Sequence, residues 1–183
     1  MSDLYAPPTL TVAAGPDDWT IGSLDAAVVF VEYGDFECPH CAQAEAMLRG
    51  LREQVGDDLC FVYRHFPLSS SHPHAELAAE AAEAAGQQGA FWPMHDTLFA
   101  HQNALSVDDL VRYFADLALD ANRAAQELEQ RVYEPAIRAD FMSGVRSGVS
   151  GTPAFFINDV RYDGEYTLAA LSRAVRKAAI IGR

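Results

Sequence analysis

The feature that most restricts the fold is a run of seven residues, Ala27-Val28-Val29-Phe30-Val31-Glu32-Tyr33, apolar almost without a break. A short run of β-branched and aromatic residues reads as a strand covered on both faces, in a central sheet. A helical pattern follows at once. Cys41, Ala44, Met47, Leu48, Leu51 and Val55 recur at three- and four-residue spacing, and Gly56 suits the position just past a helix end. Pro39 fits the first turn, where a missing N–H is no loss. Residues 59–66 read as a second strand, closed by Pro67. The first part of the chain is therefore β–α–β, with Cys38-Pro39-His40-Cys41 at the strand-to-helix junction.

Residues 72–147 change character, because Ala, Glu and Leu dominate and strand signals vanish. The spacing predicts helices over about 74–87 and 90–101, and a third from Ser106, with Asp109 three residues on as in a capping box. A fourth follows Asp120, and a fifth runs over about 135–147. The end returns to β: residues 154–157, a tight turn at Asn158-Asp159, then 160–162. Thr167 caps a final helix with Leu168, Leu171, Val175 and Ala178 on one face. Residues 1–26 read as an irregular lead-in, with one short strand over 10–13. The expected class is α/β, in a single domain over 1–183. Residues 10–68 and 150–180 form one subdomain, and 69–149 are a mainly helical insertion between the β–α–β and β–β–α halves.

A cysteine delivered to the first turn of a helix meets unpaired N–H donors and the positive end of the dipole, which favour its thiolate. Cys38 is expected to be the exposed, attacking sulfur. Cys41, one turn further in, is expected to resolve the mixed disulfide. His40 between them adds a positive charge and a donor that lower the Cys38 pKa further. Glu32, six residues before Cys38, is a carboxylate in an apolar strand. It either carries the proton that Cys41 exchanges, or points to the sheet edge or pairs with a cation. Asp35 and Glu37 read as loop acids that slightly oppose the thiolate. Cys60 reads as a small buried hydrophobe. Phe91, Trp92, Met94 and Phe99 read as helical core, and the histidines at 65, 72, 74, 95 and 101 as structural or surface groups.

The formal net charge of -13 offers no basic face for nucleic acid or an anionic membrane surface. No stretch reaches the roughly 20 apolar residues that span a bilayer. The N-terminus lacks a basic region followed by an apolar one, so the expected compartment is the cytoplasm, or the periplasm if a leader has been removed. Three cysteines are too few for a disulfide scaffold. A zinc pair would need two further ligands, of which His72 and His74 are the nearest. No metal or other cofactor is expected.

Several segments together resemble the DsbA-like thioredoxin-fold family. They are Phe36-Glu37-Cys38-Pro39-His40-Cys41, Tyr63-Arg64-His65-Phe66-Pro67-Leu68, His72-Pro73, Phe91-Trp92-Pro93-Met94-His95-Asp96, and Ser150-Gly151-Thr152-Pro153-Ala154-Phe155-Phe156-Ile157. The resemblance covers about residues 20–178 and is nearest to the bacterial branch that also occurs as a soluble domain fused behind sodium/proton antiporters. It implies a thioredoxin sheet with a helical insertion, and exchange of protein or small-thiol disulfides through the dithiol, with a redox partner to recycle it. It implies that Pro153 is a cis-proline, that Gly151 and Thr152 join it in client binding, and that Glu32 matches the family's buried acid. Pro39-His40 is the dipeptide of the strongly oxidising periplasmic members. In a cytosol poised about 120 mV below such a dithiol, about four decades would favour the reduced form. Two further readings are a glutathione-dependent transferase or isomerase of the kappa type, and a non-enzymatic metal-binding or chaperone module. The intact cysteine pair argues against the first.

Overall fold

The apolar run forms β2 (Val28–Gly34), buried at all but one position. In the computed structural model, which describes residues 7–181, it lies in the middle of a five-stranded sheet of order β1-β3-β2-β4-β5. The other strands are β1 (Trp19–Ile21), β3 (Leu59–His65), β4 (Ala154–Ile157) and β5 (Val160–Tyr162). Pairing is antiparallel for β1 with β3, β2 with β4, and β4 with β5. Asn158 and Asp159 both hold positive φ, 45° and 67°, as the two-residue hairpin between β4 and β5 requires.

Helix α1 (Pro39–Val55) ends as expected, with Gly56 at φ 63°, the left-handed conformation that closes a helix. The helical block holds α2 (Ala75–Gly86), α3 (Phe91–Ala100), α4 (Val107–Asp116), α5 (Ala121–Glu129) and α6 (Glu134–Arg146), and α7 (Leu168–Ile181) closes the described chain. Ser106 and Asp109 make the reciprocal capping box at α4, and Asp120 caps α5. None of the described helices is long and apolar enough to cross a membrane.

The expected strand over 10–13 does not form. Leu10 N–H reaches a backbone partner, the Asp159 carbonyl at 2.8 Å; beyond it Thr11 N–H donates to Ser147 Oγ at 3.0 Å, and the Val12 and Ala13 carbonyls accept from Arg64. The edge strand is Trp19–Ile21, which the turn-forming residues around it conceal. Gly22 (φ 97°) lets the chain after it pass against the Leu59 carbonyl, where any Cβ would collide.

The chain gathers into two compact units. Among the described residues, one takes 7–33, Ala44–Arg64 and 142–181; the other takes Gly34–Gln43 and His65–Phe141. This division differs from the expected cut at 69–149, because the dithiol segment groups with the helices. In the first unit, Phe30 packs on Phe61 and Phe155 (ring centroids 6.0 and 5.2 Å). The buried Arg64 binds both oxygens of Asp18 at 2.7 and 2.9 Å. In the second, the alanines of α2 are almost all buried and pack on α3, α4 and α5. Small side chains allow that close approach.

Candidate active site

After β2 the chain makes one turn before α1. Cys38 N–H donates to the Asp35 carbonyl at 3.1 Å, and Glu37 N–H donates to Asp35 Oδ1 at 2.8 Å. Asp35 thereby fixes the turn with its own side chain. Cys38 stands just before the first helical residue, and its carbonyl accepts from Cys41 N–H (3.1 Å) and Ala42 N–H (3.3 Å). Pro39, lacking an N–H, occupies the first helical position. Gln102 Nε2 donates to the carbonyls of both Phe36 and Cys38, at 2.8 Å each.

Cys38 is not the exposed group the sequence predicts. It is 3% exposed against 1% for Cys41, and Pro39 and His40 carry the exposure instead. The turn accounts for this: Phe36 is buried among the rings of His65, His95 and Phe99, and the segment is drawn in with it. The Phe91, Met94 and Phe99 side chains are core, as expected.

The loop acids do more than line the turn. The Asp35 side chain is fully buried, and its Oδ2 accepts from Leu68 N–H at 2.8 Å and from His72 Nδ1 at 2.7 Å. Glu37 accepts from His74 N–H at 2.7 Å and lies 2.9 Å from His74 Nδ1, holding the start of α2. His72 and His74, the nearest further candidates for a zinc pair, are thus engaged by carboxylates. Burial disfavours the charged form of His72, but the hydrogen bond and charge of Asp35, joined by Cys38 and Glu37, outweigh it and raise its pKa. No periodicity announces a pair 37 residues apart in sequence. The only hint is an acid on the approach to the cysteines and a His-x-His after the second strand.

In the other unit, Glu32 is buried in β2, opposite Phe155 of β4. The sheet-edge reading of Glu32 does not hold, since β2 is the central strand. The Thr152–Pro153 peptide bond is cis. The Tyr166 ring lies on Phe155 at 4.6 Å, and its hydroxyl donates to the Pro153 carbonyl at 3.3 Å. Burial pushes the Tyr166 phenol up, and the charges of Asp163 and Glu32 add to this against Arg161. Gly151, Thr152 and Pro153 are half-buried. Cys60 in β3 is fully buried, and burial, then the charge of Asp18, push its thiol up.

A family model described as thioredoxin matches residues 14–177. Among solved structures, the oxidised BdbD of Bacillus subtilis superposes with a TM-score of 0.82 at 18% identity, covering 95% of this chain and 96% of that one. The α-DsbA1 of Wolbachia pipientis gives 0.80 at 20% identity, covering 92% and 94%. A thioredoxin-like oxidoreductase of Silicibacter pomeroyi gives 0.76 at 27% identity, covering 90% and 93%. The fold is that of these DsbA-like proteins, a thioredoxin-like sheet with a helical insertion. The chain is also similar to proteins named sodium/proton antiporter NhaA. It is 48% identical over 170 residues to one from Salinispora arenicola and 42% identical over 159 to one from Herminiimonas arsenicoxydans. The matches cover 92% and 85% of this chain, which spans about a quarter of the length of those relatives.

Proposed function

This chain belongs to the thioredoxin family, and on that premise we propose that it exchanges disulfides through Cys38 and Cys41. One observation carries the reading: Cys38 immediately precedes the first residue of α1, and its carbonyl accepts the Cys41 N–H one turn on. The helix N-terminus favours a thiolate at Cys38. That thiolate attacks one sulfur of a client disulfide, the client S–S bond breaks, and the departing client sulfur takes up a proton. Cys41, having given up its proton, then attacks the Cys38 sulfur of the mixed disulfide. The client leaves as a dithiol, reduced by two electrons, and Cys38–Cys41 becomes the disulfide. The reverse sequence oxidises a client, and a separate redox partner returns the pair to its starting state in either direction.

His40, exposed in the first turn, supplies a donor and a titratable charge beside the sulfurs. Glu32 is a carboxyl able to take up and release a proton, and Gly151, Thr152 and Pro153 offer backbone groups to an extended client. These roles, and protein or small-thiol disulfides as clients, belong to the proposal. They are supported by the family and by structural neighbours that include a thiol–disulfide exchange protein of Wolbachia pipientis and a protein-disulfide isomerase of Novosphingobium aromaticivorans. Direction follows from the potential of the pair measured against its compartment. A potential near that of thioredoxin makes the protein a reductant, and one near that of DsbA makes it an oxidant. The decisive assay is exchange with insulin or glutathione disulfide. Cys38→Ser should abolish it, while Cys41→Ser should accumulate the mixed disulfide, seen as a covalent adduct by mass spectrometry. Full activity in Cys38→Ser would refute the proposal.

A further inference from the structure

The mechanism leaves one ionic pair beside the dithiol unused. Asp35 begins the turn that ends at Cys38, and its carboxylate is closed to solvent. Standing alone, that negative charge would oppose a thiolate three residues away. An ionised carboxylate only accepts hydrogen bonds, so His72 Nδ1 is the donor in the 2.7 Å contact, which leaves Nε2 as the atom that titrates. The imidazole is one-fifth exposed, and the Asp35 it binds belongs to the same turn as Cys38, whose N–H donates to the Asp35 carbonyl at 3.1 Å. Asp35 and Glu37, both from the turn before α1, act on it with their negative charges. His74, on its own loop, is taken up by Glu37. With His72 protonated, the pair beside Cys38 is neutral overall. With His72 neutral, Cys38 faces the carboxylate uncompensated.

We propose that His72 is a positioning residue for the exchange chemistry, its imidazolium held by Asp35 so as to offset that carboxylate and stabilise the Cys38 thiolate. The inference rests on the reading that Cys38 is the attacking sulfur. It gives the dithiol a second source of positive charge beyond His40, on an element remote in sequence. It also adds an electrostatic role for Asp35 to the structural one it has in holding the Glu37 and Leu68 N–H groups. Stabilising the thiolate favours the reduced pair, so the same charge makes the disulfide the stronger oxidant.

The test uses His72→Asn, whose amide still donates to Asp35 but carries no charge. The Cys38 thiolate is titrated by the pH dependence of its alkylation, read at that residue by mass spectrometry, and the potential by equilibration with glutathione. In His72→Asn the Cys38 pKa should rise by about one unit. The equilibrium should shift about tenfold toward the disulfide, or about 30 mV more reducing. His72→Lys, which restores a charge, should recover most of the shift. In an Asp35→Asn background, His72→Asn should move the titration much less, because without the carboxylate that holds its proton the imidazole carries little charge to lose. An unmoved titration and potential in His72→Asn would overturn the proposal, even if the variant melts earlier, since that is what a merely structural contact would do. Equal shifts with Asp35 intact and in the Asp35→Asn background would overturn it too. Alkylation needs no disulfide client. Thus a chain that shows the titration shifts but no exchange refutes the proposed function alone. Intact exchange with an unmoved titration refutes this inference alone.

Discussion

A carboxylate that is sealed from water and holds three donors, as Asp35 does, ties residues far apart in sequence by local chemistry alone. The linkage to His72 has a definite sign. Its folded pKa is raised, so the pair contributes stability in full below the ordinary histidine value of about 6.5, and loses it as pH climbs through the raised value. Urea denaturation of wild type and His72→Asn at a series of pH values should therefore show the largest gap at about pH 5.5 and a narrowing one above neutrality. A gap that widens with pH would contradict the assigned sign. The cysteine pair is legible from the sequence because a dithiol between a buried strand and an amphipathic helix is a local signal. The carboxylate–histidine pair is not, because nothing local distinguishes a histidine that will meet a buried acid from one that faces water.

At the scale of elements, periodicity carries most of the reading. The long helices and the apolar strands β2, β3 and β4 fall where spacing and β-branching put them, to within a residue or two. The lead-in over 10–13 is alternating enough to suggest a strand, but after Leu10 Arg64 and Ser147 take up its polar groups, so pairing stops at an isolated bridge. The edge strand β1 is hidden among Gly and Asp residues that read as an irregular lead-in, whereas β5, equally short, is marked by the hairpin turn before it. Caps are legible because they are written within four residues. Ser106 accepts from Asp109 N–H while Asp109 accepts from Ser106 N–H. Ser106→Ala should cost about 1 kcal/mol in urea denaturation, with the midpoint lowered and the slope unchanged. No loss would mean that α4 draws its stability from packing alone.

For the whole molecule, the proposed function divides the three buried cysteines into a working pair, Cys38 and Cys41, and a bystander, Cys60. Cys60 is fully buried, and burial and Asp18 hold it in the neutral form, so the thiolate needed for attack is scarce. Native alkylation with iodoacetamide should label Cys38 at least about tenfold faster than Cys60, with the two rates converging in denaturant. Comparable native rates would place Cys60 among the working thiols. The strongly acidic composition is a property of the surface as a whole, and it favours solubility without naming any partner.

The grouping of residues 34–43 with the helices has a consequence for anyone recombining such domains. A chimera spliced at the ends of the helical block would treat the block as a decoration and the Cys-Pro-His-Cys turn as part of the scaffold. Yet Gln102, His72 and His74, which hold the backbone and the acids of that turn, all travel with the block. Exchanging the block alone would exchange the electrostatic setting of cysteines whose own sequence had not changed. The unit of inheritance for the chemistry is the turn together with the helices, and a transplant should move both.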